Sequence, residues 1–198
     1  MKILSIPNEN GKMTCFWEEG ASSGKKPLII CLADKEEDAQ RDLNLLFSQA
    51  NGASVAALVI YPQTEEQIVG DWLYSLRQRE DVDENRITLT GTLSAADWVW
   101  RLGSHFPQWF AGICAVGGYG DPYEVRAMKN VPVRAYLVEE EPQIIRKGKV
   151  AVNVDQLVMS LLTAGSECVE MRSMYEKNPW NKAIQEDGAV SWLLEQNR

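Results

Sequence analysis

The residues best placed to do chemistry lie between Arg86 and Trp100, which read RITLTGTLSAADWVW. A short β-branched run, Ile87 to Thr90, ends at Gly91, and a helix-like segment starts at once. Such a strand-to-helix turn is the device that lifts a serine above a sheet, with small residues two before and two after it. Here Gly91 and Ala95 are the small residues, but the position between them is Leu93, and the nearest hydroxyl, Ser94, comes one residue late. A serine attacks a carbonyl only when a base takes its proton, and histidine is the usual base. The chain has one histidine, His105, eleven residues beyond Ser94. On a helix that is ~16 Å along the axis. His105 is therefore expected to end the helix, away from the turn.

The elements that must position this turn can be read on either side of it. Met1–Pro7 and Lys12–Glu18 form a strand pair around the turn signal Asn8-Glu9-Asn10-Gly11. Pro27–Ala33 and Ser54–Tyr61 are continuous apolar runs, the pattern of strands buried on both faces. Lys35–Ala50 and Glu65–Arg79 carry one-sided apolar periodicity and read as amphipathic helices. After the turn come a helix over 94–106, a strand over 109–116, a tight glycine turn at Gly117-Gly118-Tyr119-Gly120 and a short helix over 123–129. A strand over 131–138, a helix over 154–163, a strand over 167–175 and one long helix over 183–196 complete the chain. The acidic run Glu139-Glu140-Glu141 reads as a solvated loop. Alternation of this kind predicts an α/β fold, a doubly wound, mostly parallel sheet with helices on both faces and an N-terminal β-hairpin, in a single domain over 1–198.

Composition narrows the function classes. A hydrophobic content of 45% with seven tryptophans supports a globular core, and no apolar run approaches the ~20 residues of a membrane helix. A net charge of −8 opposes nucleic-acid binding and gives no support for an anionic membrane surface. The four cysteines, Cys15, Cys31, Cys114 and Cys168, form no C-x-x-C pair, so they read as buried free thiols. No metal-ligand cluster and no cofactor motif is visible. The opening Met1–Ile6 reads as a strand, not a leader, and the expected location is cytoplasmic. A homodimer through an exposed edge, the opening hairpin for example, stays open.

The run Arg86–Trp100 resembles the small esterase and peptidase branch of the α/β-hydrolases, which includes carboxylesterases and polyhydroxybutyrate depolymerase-like proteins. Their run reads R-I-Y-L-T-G-x-S-M-G-G, with a tryptophan soon after. Further likeness lies in Phe106-Pro107, Phe110-Ala111 with Gly117-Gly118 and Asp121, Val131-Pro132-Val133 with Ala135-Tyr136, and Ser191-Trp192-Leu193-Leu194. The resemblance implies an α/β-hydrolase-like domain without a cap domain, in which the nucleophile position falls on Leu93 and two glycines become Ala95 and Ala96. It also implies that the strand before the oxyanion loop ends in Ala33-Asp34 where His-Gly is usual. Glu141 is the closest stand-in for the acid, and the segment that should hold a histidine reads Glu176-Lys177-Asn178-Pro179-Trp180. The expectation is a catalytically degenerate relative that binds a small molecule or a protein at the former cleft, lined by Ala33, Asp34, Leu93, Ser94, Glu141 and Asn178. The alternative is an active serine hydrolase using Ser94, Glu141 and a lysine base, Lys177 or Lys182.

Overall fold

A computed structural model describes residues 2–6, 13–138, 145–146 and 149–198. Eight strands form one sheet in the order β1-β2-β4-β3-β5-β6-β7-β10. Its centre is made of β3 (Lys26–Ala33), β4 (Ser54–Val59), β5 (Val82–Thr92) and β6 (Gly112–Val116), and β7 (Val133–Val138) and β10 (Val169–Met174) extend it on one side. All six run parallel. On the other side β2 (Met13–Glu18) pairs antiparallel with β4, and β1 (Lys2–Ile6) antiparallel with β2. The expected opening hairpin is thus present, while its turn residues lie outside the described residues.

Continuous apolar sequence becomes central strand because each face needs its own cover. In β3, Leu28, Ile30 and Leu32 enter one core, and Ile29, Cys31 and Ala33 enter the other. The first core is closed by α2 (Glu66–Arg77), α3 (Ser94–His105) and α4 (Val154–Thr163). The second is closed by α1 (Glu36–Phe47), α5 (Pro179–Gln185) and α6 (Ala189–Glu195). Period-two strands and helices of period 3.6 thus meet on both sides of one sheet.

Four features depart from the sequence reading. The single terminal helix expected over 183–196 is two helices, broken at Asp187-Gly188, where Gly188 adopts φ 69°. Gly188 interrupts the helical path, and the Asp187 carboxylate accepts a hydrogen bond from Tyr136 Oη at 2.7 Å and meets Arg172 Nη1 at 2.6 Å. The elbow strand begins at Val82, five residues earlier than its β-branched run, with a register irregularity between the Lys26–Val82 and Leu28–Ile87 pairs. Trp109 lies in a 3₁₀ turn (Pro107–Trp109) instead of opening a strand, and stacks on Phe106 with ring centroids 4.4 Å apart. The sequence reading places no strand between the acidic run and the helix at 154, yet β8 (Ile145–Arg146) and β9 (Lys149–Val150) pair antiparallel there, while Glu139-Glu140-Glu141 lies outside the described residues.

Candidate functional site

Parallel strands send their carboxyl ends to one edge of the sheet. From β3 the chain crosses to β4 on one side, and from β4 it returns past β3 to β5 on the other. The crevice between the ends of β3 and β5 is therefore the switch point of the winding, where ligands of open α/β sheets bind. Asp34 follows β3, and Leu93 and Ser94 follow β5. These are three of the residues singled out from the sequence.

The turn itself has the backbone of an elbow. Leu93 adopts φ 51° and ψ −123°, outside the regions comfortable for a residue with a Cβ. Its amide still donates to Val116 O at 2.8 Å, and its carbonyl accepts from Ala96 N at 3.0 Å, so the strain is held between β6 and α3. The side chain stands out at 47% exposure. Small neighbours are required: a Cβ on Gly91 would lie 2.9 Å from Val99 Cγ2, and one on Gly118 would lie 2.7 Å from Ala96 Cβ. The loop after β6 is pinned to α3 by two bonds. Asp97 Oδ1 accepts from Tyr119 N at 2.6 Å, and Trp100 Nε1 donates to Gly117 O at 3.2 Å. Asp97 and Trp100 were not singled out as site residues. The one available signal was a carboxylate on the otherwise apolar face of that helix.

Ser94 is the exposed first residue of α3, and its Oγ donates to the Asp34 carboxylate. Ala33 is buried at the end of β3, so of the Ala33-Asp34 pair only Asp34 opens toward the crevice. Asn178 follows β10 and caps α5, its Oδ1 accepting from Asn181 N at 3.1 Å. Lys177 beside it is exposed. Lys182 meets Glu176 at 3.2 Å and Glu186 at 3.0 Å, and the hydrogen bonds to Glu186 and Glu176 push its pKa up, away from that of a base. Glu141 lies outside the described residues.

The histidine is placed as its spacing requires. His105 ends α3, with Nδ1 bonded to Glu66 at the start of α2 and Nε2 3.4 Å from Glu124 Oε2. Arg101 Nε meets the other oxygen of Glu66 at 2.6 Å. Three of the thiols are poor nucleophiles: burial pushes Cys15 and Cys114 up to about 12 and Cys31 well above its ordinary value. Cys168 departs from the expectation of four buried thiols, because it lies half-buried just before an edge strand, with Sγ 3.6 Å from Lys129 O. Among the described residues no group of His, Cys, Asp and Glu could hold a metal ion, and no helix is long and apolar enough to cross a membrane.

No protein-family model and no curated protein matches this sequence. Solved structures do. A thermostable esterase superposes with a TM-score of 0.78 at 18% identity, covering 100% of this chain and 63% of its own. A 2,6-dihydroxy-pseudo-oxynicotine hydrolase gives 0.72 at 13% identity, covering 99% and 68%. An α/β hydrolase from a Medee basin deep-sea metagenome library gives 0.65 at 12% identity, covering 98% and 96%. The chain has the α/β-hydrolase fold. At these identities the likeness is one of fold, and the chain spans under two thirds of the thermostable esterase. The α/β-hydrolase fold accounts for the strand order and for the strained turn at Leu93. It leaves function to be argued from the site.

Proposed function

We propose that this α/β-hydrolase-like protein is catalytically degenerate and binds a small molecule or a protein segment at the crevice between the ends of β3 and β5. One observation carries this reading: the elbow backbone is kept, but a half-exposed leucine occupies its apex while the neighbouring Ser94 is tied to Asp34. A carboxylate facing the turn opposes the negative charge that builds up on a carbonyl oxygen during acyl transfer. Imidazole, the usual base, is held at the far end of α3 by Glu66 and Glu124. An exposed apolar residue held in a strained backbone suits contact with an apolar ligand group better than bond making. A cytoplasmic setting belongs to the same reading, supported by four free cysteines.

The Ser94–Asp34 bond also favours a second reading, a serine hydrolase in which the carboxylate accepts the serine proton. Incubation with a fluorophosphonate probe separates the two. The degenerate reading expects no labelling and no hydrolysis of p-nitrophenyl acetate above buffer. Labelling that disappears in Ser94→Ala, with the fold intact, would overturn it. Binding is read from the Leu93 amide in a nuclear magnetic resonance titration with p-nitrophenyl acetate. The expected result is a shift that is lost in Leu93→Lys; shifts confined to the His105 end of α3 would contradict the crevice.

A further inference from the structure

We infer that two copies of this chain associate as a symmetric dimer through antiparallel pairing of β10 with β10, centred on Met171. Strand β10 ends the sheet next to β7. The amide of Val133 donates to Cys168 O at 2.9 Å, so even-numbered residues of β10 turn their backbone groups toward β7. Val169, Met171 and Ser173 then direct theirs away from the sheet. An edge of this kind is a template for another strand unless it is blunted by lysine, proline or a bulge. The sequence of β10, VEMRSM, has neither lysine nor proline, and its register with β7 runs without a break. The opposite edge, β1, carries the exposed Lys2.

What selects a second copy over another partner is the self-complementary order of the side chains. A two-fold axis at Met171 sets Met171 against its own copy, Val169 against Ser173, and Glu170 against Arg172. Opposite charges facing one another across an antiparallel pair are stabilising. Within the chain, Glu170 is already bonded to Arg134, and Arg172 meets Asp187 at 2.6 Å. Pairing would join these into one network of alternating charge across the axis. On the other face Met171 is 43% exposed. Met159 and Leu162 are also exposed on α4, which covers β7 and β10 on that side. About six backbone hydrogen bonds close the pair, with Met171, Val169 and Ser173 on one face and ion pairs on the other.

Sedimentation of the wild-type chain over a dilution series should show a monomer–dimer equilibrium. Met171→Asp and Met171→Lys each place like charges on the axis, and each should weaken the dimer at least ~100-fold. Mixing the two variants should restore it, because residue 171 faces residue 171. Circular dichroism checks that both variants are folded. In the wild type, the amides of Val169, Met171 and Ser173 should gain hydrogen-exchange protection at high concentration and lose it on dilution. A chain monomeric throughout, a dimer indifferent to both variants, a mixture that stays monomeric, or unprotected amides in a concentrated sample would each overturn the inference.

Discussion

Leu93 concentrates the contradiction of this molecule, because a β-carbon sits where the backbone suits glycine. Holding a non-glycine residue in such a conformation costs of order 1–3 kcal/mol. Leu93→Gly removes that strain but adds chain entropy to the unfolded state, worth somewhat less. The expected outcome is a gain of about 1 kcal/mol in urea unfolding, with no change in fluorophosphonate labelling. Leu93→Ser should restore a hydroxyl at the apex and still leave the protein unlabelled, since no imidazole lies near it; labelling of that variant would mean that Asp34 serves as base. The turn was legible in the order Thr90, Gly91, Thr92, Leu93, because local sequence sets where a strand must stop. The Ser94–Asp34 bond was not, because sixty residues separate its partners and only the parallel pairing of β3 with β5 brings them level.

At the scale of elements, the elbow works as a clamp of β6 and the loop after it on α3. Gly118 has φ 87°, and an added Cβ would lie within 2.9 Å of Ala96 Cβ, Ala96 C and Asp97 N. Gly118→Ala combines a forbidden conformation with a clash against backbone, and should cost at least about 3 kcal/mol, read as a fall in the thermal midpoint. Gly165→Ala is the contrast. It also has positive φ, 88°, but a Cβ there meets nothing within 4 Å, so it should cost only about 1 kcal/mol. Helix α4 was readable to the residue because its apolar positions and its stop at Ala164-Gly165 agree. The division of the final helix into α5 and α6 was not, because its apolar periodicity continues across Gly188. What breaks it is Gly188 at positive φ, next to an Asp187 held by Tyr136 and Arg172 on neighbouring strands.

Across the whole molecule, stability should respond to pH through carboxylates whose environments pull in opposite directions. Burial alone would raise the Asp187 carboxyl, but hydrogen bonds from Tyr136 and Arg172, with the nearby Arg172 and Arg134 charges, hold it below the usual range. A lowered folded value stabilises the protein above the unfolded pKa, roughly 3.9, and that contribution is lost as pH falls through the folded value. Asp187→Asn should therefore cost about 1 kcal/mol at neutral pH, and its stability curve should merge with the wild type in acid. Asp42, 1% exposed, has the opposite slope: burial raises its carboxyl, only partly offset by Arg41. Relative to Asp42→Asn, the wild type should lose ground as pH rises through the raised value. The sequence by itself determined the layered sheet, the order of most elements and the absence of a histidine near the elbow, since each follows from local periodicity or from counting. Tertiary structure alone decided that Asp34 meets Ser94, that His105 is held by Glu66 and Glu124, and that, among the described residues, β10 ends the sheet. Those outcomes depend on which strands become neighbours, and strand neighbours are chosen by packing across the whole core.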